Sequence, residues 1–189
     1  MVTEQSPLNP RDRSEASVSI DDVARRSRRS RLPLTVRAYT AADWFAVEAL
    51  VVAMLEQDFI GLRLEDRRLL SELEHEYLRE TLLVAVSQHE ASAGVVGVIA
   101  LKAEGARLGR IQTMTVGPDE RRQGVATALL RTALEHSSRR GFDDLIVDAP
   151  RRGDEAAAGF LDATGFRLIA VTLHASIYSR GVEDPIVLC

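Results

Sequence analysis

A strand that runs through a tight turn into a helix, within residues 110–140, restricts the fold of this chain more than any other feature. Residues 110–116 have the character of a strand, and Gly117-Pro118 ends it. The helix predicted from about Gly124 to Arg140 repeats apolar residues at helical spacing and stops before Gly141, a common residue just past a helix. A strand and a helix joined in this way need a sheet with helices packed against it.

The patterns on either side of this unit predict further strands and helices. A helix is predicted to open at Thr40, because Asp43 three residues later completes a capping arrangement ahead of an apolar repeat. The other predicted strands are 34–38, 82–87, 95–102, 145–147 and the region 166–178; the other predicted helices are 65–81 and 155–164, with a loop at 57–64. This order predicts an α/β fold with a mixed sheet.

The first 32 residues differ in composition from the rest of the chain. Residues 1–32 are polar, rich in Ser and Arg, and interrupted by Pro7 and Pro10, which predicts a flexible N-terminal tail ahead of one domain at 33–189. The arginine-rich run at 25–31 is either a solvated linker or a segment that docks on an acidic partner.

Charge and composition exclude several classes of function. The net charge of -4 gives no concentrated basic face for nucleic acid and no polybasic membrane anchor. No apolar stretch approaches the roughly 20 residues that a membrane helix needs, and the first residues lack a signal-peptide pattern, so a cytoplasmic location is expected. The single cysteine, Cys189, is the last residue, and the four histidines lack ligand spacing, so no metal is expected.

The turn at the start of the 124–140 helix is a predicted anion site. The first N–H groups of a helix and its positive dipole end attract anions, and Gly124 and Ala126 allow a ligand to approach the main chain. A nucleoside-triphosphate loop would need a lysine just after its last glycine, and none is present. A dinucleotide site would need three glycines after the first strand, whereas here one glycine follows the fourth. A diphosphate held mainly by main-chain N–H groups remains, and coenzyme A fits that description.

The same residues resemble a known superfamily. The run Arg121-Arg122-Gln123-Gly124-Val125-Ala126 is similar to the R/Q-x-x-G-x-G/A motif of GNAT acetyltransferases, and it follows a strand that ends in Val-x-Pro. Residues 36–43 resemble the first strand and helix start of that family. Ala157, Phe160, Gly165 and Phe166 match its A-x-x-F-Y-x-x-x-G-F segment. The resemblance covers residues 34 to about 178.

The resemblance implies a fold and an activity. The GNAT fold has a mixed central sheet of about six or seven strands flanked by about four helices. The implied enzyme is an N-acetyltransferase that moves an acetyl group from acetyl-CoA, its cosubstrate, to a primary amine by direct attack in a ternary complex, without a metal. The acceptor would be an amine-bearing small molecule or peptide, and a homodimer is expected from the habits of relatives.

The resemblance also implies which residues form the cofactor site. Main-chain groups on a splayed strand would pair with the pantetheine arm, with the Val116 N–H as the oxyanion donor. Asp154 and Phe160 would border the pantetheine. The strand residues are Met114, Thr115 and Val116, and the pyrophosphate would be held by Arg121, Arg122, Gln123, Gly124, Val125, Ala126 and Thr127.

The catalytic residues are where the chain departs from the family pattern. Leu161 stands where many relatives carry the tyrosine that protonates the departing thiolate, which leaves Tyr178 and His174 as candidate acids. Arg110 stands where some relatives carry a glutamate base. Asp148, on the following strand, is the first choice of base because its surroundings resemble a second group of relatives.

Two further readings stay open at this point. Leu161 also suits a GNAT-fold sensor or interaction module that binds acyl-CoA with little catalysis. A nucleic-acid-binding module that uses the arginine-rich tail is the weaker of the two, since the net charge of -4 argues against a nucleic-acid partner. Glu56 and Asp58 lie where relatives bind the acceptor, and they could attract a cation.

Overall fold

A mixed sheet organises the structure, a computed structural model that describes residues 33–58, 81–89, 93–150, 155–173 and 175–186. Within these ranges the sheet has seven strands in the order β1-β2-β3-β4-β5-β7-β6. The β4–β5 pair is parallel and the other neighbours are antiparallel. The strands are β1 (Leu34–Ala38), β2 (Thr81–Ser87), β3 (Gly94–Ala103), β4 (Leu108–Val116), β5 (Asp144–Pro150), β6 (Arg167–Val171) and β7 (Ala175–Gly181).

Three α-helices accompany these strands in the described part of the chain. They are α1 (Trp44–Asp58), α2 (Val125–Arg139) and α3 (Glu155–Ala163), and short 3-10 turns at Ala41–Asp43 and Pro118–Glu120 precede the first two. None of the described helices has the length and apolar character needed to cross a membrane. The predicted mixed α/β architecture is therefore confirmed.

Several predicted boundaries need correction. The final strand region at 166–178 is two strands, β6 and β7, because the chain turns back between them. Helix α1 continues through residues 57 and 58, where the sequence predicts the start of a loop. Thr81, placed at the end of a predicted helix at 65–81, is the first residue of β2. The rest of that helix and the predicted tail at 1–32 lie outside the described residues.

Two apolar clusters hold the sheet, one on each face. Strand side chains alternate between faces, so Leu83 and Ile99 join the larger cluster with α2, whereas Val84 and Val98 meet α1 on the other face. Helix α2 contributes Leu129, Leu130 and other side chains that exclude solvent almost completely. Burial of each such leucine or valine side chain stabilises the fold by about 1.5–3 kcal/mol. This packing holds the N-terminus of α2 against the sheet.

The predicted helix start at Thr40 is confirmed, with an addition from β1. The Asp43 carboxylate accepts hydrogen bonds from the Thr40 N–H and hydroxyl, both at 2.9 Å. The guanidinium of Arg37 also donates to both Asp43 oxygens, at 2.6 and 2.8 Å. These hydrogen bonds, of which those from Arg37 have the largest effect, lower the pKa of the buried Asp43 carboxyl far below its usual range. One carboxylate thus connects the start of α1 to strand β1.

Candidate functional site

Strands β4 and β5 pair at their beginnings and then separate. Their register runs from Leu108 opposite Asp144 to Ile111 opposite Val147. Beyond these pairs β4 continues to Val116 and β5 to Pro150, with no further pairing between the two in the described residues. Main-chain groups at such a separation need other partners. The middle of the sheet therefore contains an opening that an extended polar ligand could enter.

A bulge at Gln112 determines which main-chain groups face this opening. In the β3–β4 ladder Ala100 lies opposite Thr113, but Leu101 lies opposite Ile111, so the register skips Gln112. A bulge of this kind re-aims the strand that follows it.

Past the bulge, the direction of the main-chain groups follows from one hydrogen bond. The Gly117 N–H donates to the Val96 carbonyl at 2.9 Å. Because successive residues of an antiparallel ladder direct their main-chain groups to opposite sides, those of Met114 and Val116 point away from β3 and towards the opening. Thr115, predicted with them, directs its main chain to β3 opposite Val98, and its side chain is buried. Two of the three predicted strand residues thus offer main-chain groups to a ligand.

The turn before α2 has an unusual backbone. Arg122 has a φ of 60° and Gly124 a φ of 86°, so both adopt the left-handed conformation. For a non-glycine residue such as Arg122 this conformation costs on the order of 1–3 kcal/mol. A Cβ at Gly124 would meet nothing within 4 Å, so the space in front of this glycine is open. Strain beside open space is typical of a loop shaped to hold a ligand.

The N-terminus of α2 supplies hydrogen-bond donors at this turn. Ala128 N–H donates to the Gly124 carbonyl at 3.0 Å, as the helix begins. By helix geometry the N–H groups of Val125, Ala126 and Thr127 come before the first N–H that has a helical acceptor, and they carry the positive end of the helix dipole. Open space and unsatisfied donors fit the diphosphate that the sequence predicts at this turn.

Side chains fasten the turn to the end of β4. The Arg121 Nε donates to the Val116 carbonyl at 3.3 Å, and the Gln123 side-chain amide donates to the Asp119 carbonyl at 2.7 Å. Arg121 and Arg122 are both exposed and add positive charge at the mouth of the site. The predicted pyrophosphate residues are therefore brought together beside the opening.

Gly97 on β3 allows α2 to approach this closely. It lies opposite Val116, and a Cβ there would come within 3.0 Å of Val125 and 3.1 Å of Leu129. Contacts that short are tighter than almost all ordinary packing. Sequence reasoning missed Gly97, although a lone glycine inside a strand is a sign of close backbone approach.

Gln112 is a second residue that sequence reasoning missed. Its side-chain oxygen is buried and, within the described part of the chain, has no hydrogen-bond partner. An amide oxygen buried in this way costs about 1–3 kcal/mol unless a donor is supplied. A glutamine directly after Ile111 in a predicted strand was the available signal.

Asp148 borders the opening on β5 and pairs with Arg110. It follows Val147, the last β5 residue paired with β4. Arg110 Nη1 donates to Asp148 at 2.8 Å, and Arg110 Nε donates to Glu104 at 2.8 Å. The Asp148 side chain is 49% exposed, so it stays open to a ligand. The arginine at this position orients the candidate base on the next strand.

Tyr178 lies on the opposite face of the sheet. It is paired with Val147, whereas Asp148 is paired with Ile177, and consecutive β5 residues point to opposite faces. Tyr178 is buried in the cluster that also contains Leu161 and Phe166. Of the candidate catalytic residues, Val116 and Asp148 thus border the opening directly.

The remaining predicted residues fall in two groups, one on α3 and one outside the described part of the chain. Phe160 lies on α3, half-buried against the larger cluster, and Leu161 beside it is fully in the core. Asp154 and His174 lie outside the described residues, as do the side chains of residues 56 and 58. Over the ranges that the structure describes, no group of three or more His, Cys, Asp or Glu residues is arranged to hold a metal ion.

The chain is similar to known proteins in sequence and in fold. A model of the acetyltransferase (GNAT) family matches residues 44–166, which is more than half of the chain. A search of curated proteins found no matching sequence.

Solved structures share the fold at low sequence identity. A GNAT-family acetyltransferase from Staphylococcus aureus Mu50 superposes with a TM-score of 0.68 at 18% identity, over 79% of this chain and 99% of that one. The PaiA N-acetyltransferase from Thermoplasma acidophilum, in complex with coenzyme A, gives 0.63 at 15% identity, over 78% and 98%. N-acetylglutamate synthase from Neisseria gonorrhoeae, complexed with coenzyme A and N-acetyl-glutamate, gives 0.61 at 18% identity, over 80% of this chain and 35% of its own.

Proposed function

The chain belongs to the acetyltransferase (GNAT) family, and we propose that it transfers an acetyl group from acetyl-CoA to the nitrogen of a primary amine. The observation that carries the proposal is the opening between β4 and β5, placed directly beside the N-terminus of α2. Anion-binding groups and free main-chain groups meet there. The coenzyme A in the PaiA N-acetyltransferase complex, a structure of the same fold, supports this choice of cosubstrate.

The turn and the helix start would hold the cosubstrate by its pyrophosphate. The N–H groups of residues 125–127, with the dipole of a 15-residue helix behind them, favour a phosphate without any lysine. Arg121 and Arg122 add charge-assisted contacts at the exposed side. Main-chain groups of Met114 and Val116 would hydrogen-bond the pantetheine amides in the way that they would pair with a neighbouring strand. Phe160 and Asp154 would border the pantetheine.

Val116 supplies the proposed oxyanion donor. When bound, acetyl-CoA supplies an acetyl group activated as a thioester, whose carbonyl oxygen gains negative charge during attack by an amine. The Val116 N–H points into the opening from a strand fixed on its other side by β3. A preorganised donor of this kind is worth about 3 kcal/mol of barrier in a site that excludes water.

Asp148 is the proposed general base. An amine attacks only in its neutral form, so the ammonium that predominates at neutral pH must first lose a proton. The half-exposed Asp148 carboxylate can bind this ammonium and take its proton directly or through one water. The hydrogen bond from Arg110 orients the carboxylate, and so Arg110 acts as a positioning residue.

Protonation of the departing thiolate matters less for turnover than deprotonation of the attacking amine. Tyr178 stays the proposed donor, although it is buried in the larger cluster on the face of the sheet opposite Asp148, so its hydroxyl would have to reach a group held between β4 and β5 from that face. Because a thiol has a pKa of only about 8.5, its thiolate is a fair leaving group. We therefore expect Tyr178→Phe to lower turnover less than Asp148→Asn does.

Thiol release from acetyl-CoA over a panel of small amines and peptides tests the proposal. Asp148→Asn should lower kcat by about 10²–10⁴ with little change in the affinity for acetyl-CoA. Asp144→Asn is the matched control, since Asp144 lies on the same strand at the far end from the opening. Absence of turnover across the panel despite tight coenzyme A binding would support a sensor instead. Unchanged rates for Asp148→Asn at all pH values would remove Asp148 as the base.

A further inference from the structure

Arg110 on β4 contacts two carboxylates at once. Its Nε donates to Glu104 at 2.8 Å, and its Nη1 donates to Oδ2 of Asp148 at 2.8 Å. Glu104 lies in the turn between β3 and β4, where its N–H donates to the Leu108 carbonyl at 2.9 Å. By the register of these strands Glu104 is the diagonal neighbour of Arg110, at the end of β4 farthest from the opening between β4 and β5.

The contact between Arg110 and Asp148 differs from other arginine–aspartate contacts in the described residues. Pairs in which the arginine donates to both carboxylate oxygens are Arg37 with Asp43 and Arg107 with Asp143. Guanidinium and carboxylate groups favour this two-bond geometry. Arg107 uses its Nε for one of the two bonds, whereas the Nε of Arg110 is held by Glu104. Asp148 is therefore bound through Oδ2 alone, and its Oδ1 accepts no hydrogen bond from the part of the chain that the structure describes.

We propose that Glu104 is a positioning residue for acetyl transfer, which holds Nε of Arg110 and so leaves Oδ1 of Asp148 to the acceptor amine. This inference rests on the proposed role of Asp148 as the general base. An ammonium bound at Oδ1 gives its proton to that carboxylate, and the neutral amine then attacks the thioester carbonyl carbon. Without Glu104, Arg110 could donate to both oxygens of Asp148 and would compete with the ammonium.

Partial burial makes the Glu104 contact more effective than an ordinary surface ion pair. The side chains of Arg110 and Glu104 are 24% and 34% exposed. Those of Arg107 and Asp143, in the same region of the sheet, are 73% and 49% exposed, so water screens that pair more strongly. Because Glu104 lies away from the opening, we expect it to act through Arg110 and not on the acceptor directly.

Two substitutions of similar length separate the hydrogen bond from the shape of the Glu104 side chain. Glu104→Met removes the oxygen that holds Nε of Arg110, and Glu104→Gln keeps one. With the panel amine of highest turnover, we expect Glu104→Met to lower kcat/KM for the amine about three- to tenfold and to leave KM for acetyl-CoA unchanged. Glu104→Gln should restore most of the loss. Asp143→Asn is the matched control, since it removes the partner of Arg107 beside the same turn and should keep wild-type kinetics.

A double-mutant cycle tests whether Glu104 acts through Arg110. In an Arg110→Met background, Glu104→Met should lower kcat/KM no further. No loss in Glu104→Met, or an equal loss with and without Arg110, would overturn the inference. A slow Asp148→Asn variant beside an unaffected Glu104→Met would leave the proposed function intact and remove this inference alone. Wild-type rates for Asp148→Asn would remove both.

A crystal structure of Glu104→Met tests the geometry without a measurement of activity. We expect Arg110 to donate to both oxygens of Asp148 in this variant, as Arg107 does to Asp143. A guanidinium that still donates to Oδ2 alone would overturn the inference, because Glu104 would then not be what keeps Oδ1 open.

Discussion

Replacing Asp43 by Asn removes a buried charge while keeping the shape of the side chain. In the wild type the Asp43 carboxylate accepts four hydrogen bonds, two from Arg37 and two from Thr40, at 2.6–2.9 Å. An asparagine keeps one oxygen but turns an amide donor towards the guanidinium of Arg37. The substitution therefore weakens the start of α1 and its connection to β1 together.

The expected loss of stability follows from how deeply Arg37 and Asp43 are buried. Breaking a fully buried ion pair costs about 3–5 kcal/mol, but the Arg37 side chain is 40% exposed and water recovers part of that loss. We expect the free energy of unfolding to fall by about 2 kcal/mol, which lowers Tm by about 4–8 °C for a domain of this size. Urea and thermal unfolding at pH 7 measure both quantities.

The same substitution has a predictable pH dependence. Arg37 lowers the pKa of Asp43 in the folded protein below its unfolded value, which is about 3.9. The stability contributed by the charged carboxylate is therefore fully present above about pH 4 and is lost as the pH falls towards the folded pKa. The stability gap between wild type and Asp43→Asn should be constant from pH 7 to pH 5 and shrink below pH 4.

Asp143→Asn is the matched control for this experiment. Arg107 donates two hydrogen bonds to the Asp143 carboxylate, but both side chains are well exposed to solvent. Solvent screening should leave the stability of this variant indistinguishable from wild type. Equal effects of the two substitutions, or a gap for Asp43→Asn that does not change down to pH 2, would refute the reasoning from burial.

Two further predictions concern α2 and the strand beneath it. Ser137→Ala should raise the free energy of unfolding by about 1 kcal/mol, because the Ser137 hydroxyl is buried and has no partner among the described residues. Urea unfolding measures this change, with Ser138→Ala, which alters an exposed serine, as the control. A loss of stability in Ser137→Ala would contradict the prediction. Gly97→Val should weaken acetyl-CoA binding tenfold or more by displacing Val125 and Leu129 at the start of α2. Gly105→Val, where a Cβ meets open space, should bind as wild type in the same titration, and equal affinities of all three proteins would contradict the role of Gly97.

Local sequence signals predicted the parts of the fold that local physics determines. The capping arrangement at Thr40 and the turn that leads into the helix at Gly124 depend on residues a few positions apart, and both are present in the structure. Boundaries were less accurate where tertiary contacts decide them. The pairing of β6 with β7 divides a region that looked like one strand.

The features of the site that were missed depend on contacts between distant residues. The bulge at Gln112 exists only in the register between β3 and β4, which no periodicity within β4 displays. The Arg110–Asp148 pair joins residues 38 positions apart. The face on which Tyr178 lies follows from its pairing with Val147. Sequence alone therefore identified the turn that suits a cosubstrate better than it identified the groups that would act on the acceptor.

Calorimetric titration with acetyl-CoA tests the central claim, with the same substitution made at both ends of α2. Gly124 and Gly141 each adopt a positive φ, and a Cβ at either would meet nothing within 4 Å, so a glutamate strains both sites alike. We predict micromolar binding for the wild type and Gly141→Glu, and no detectable binding for Gly124→Glu, whose charge would oppose a pyrophosphate. Absent binding to the wild type, or equal binding to all three proteins, would contradict the claim that acetyl-CoA is held at the N-terminus of α2.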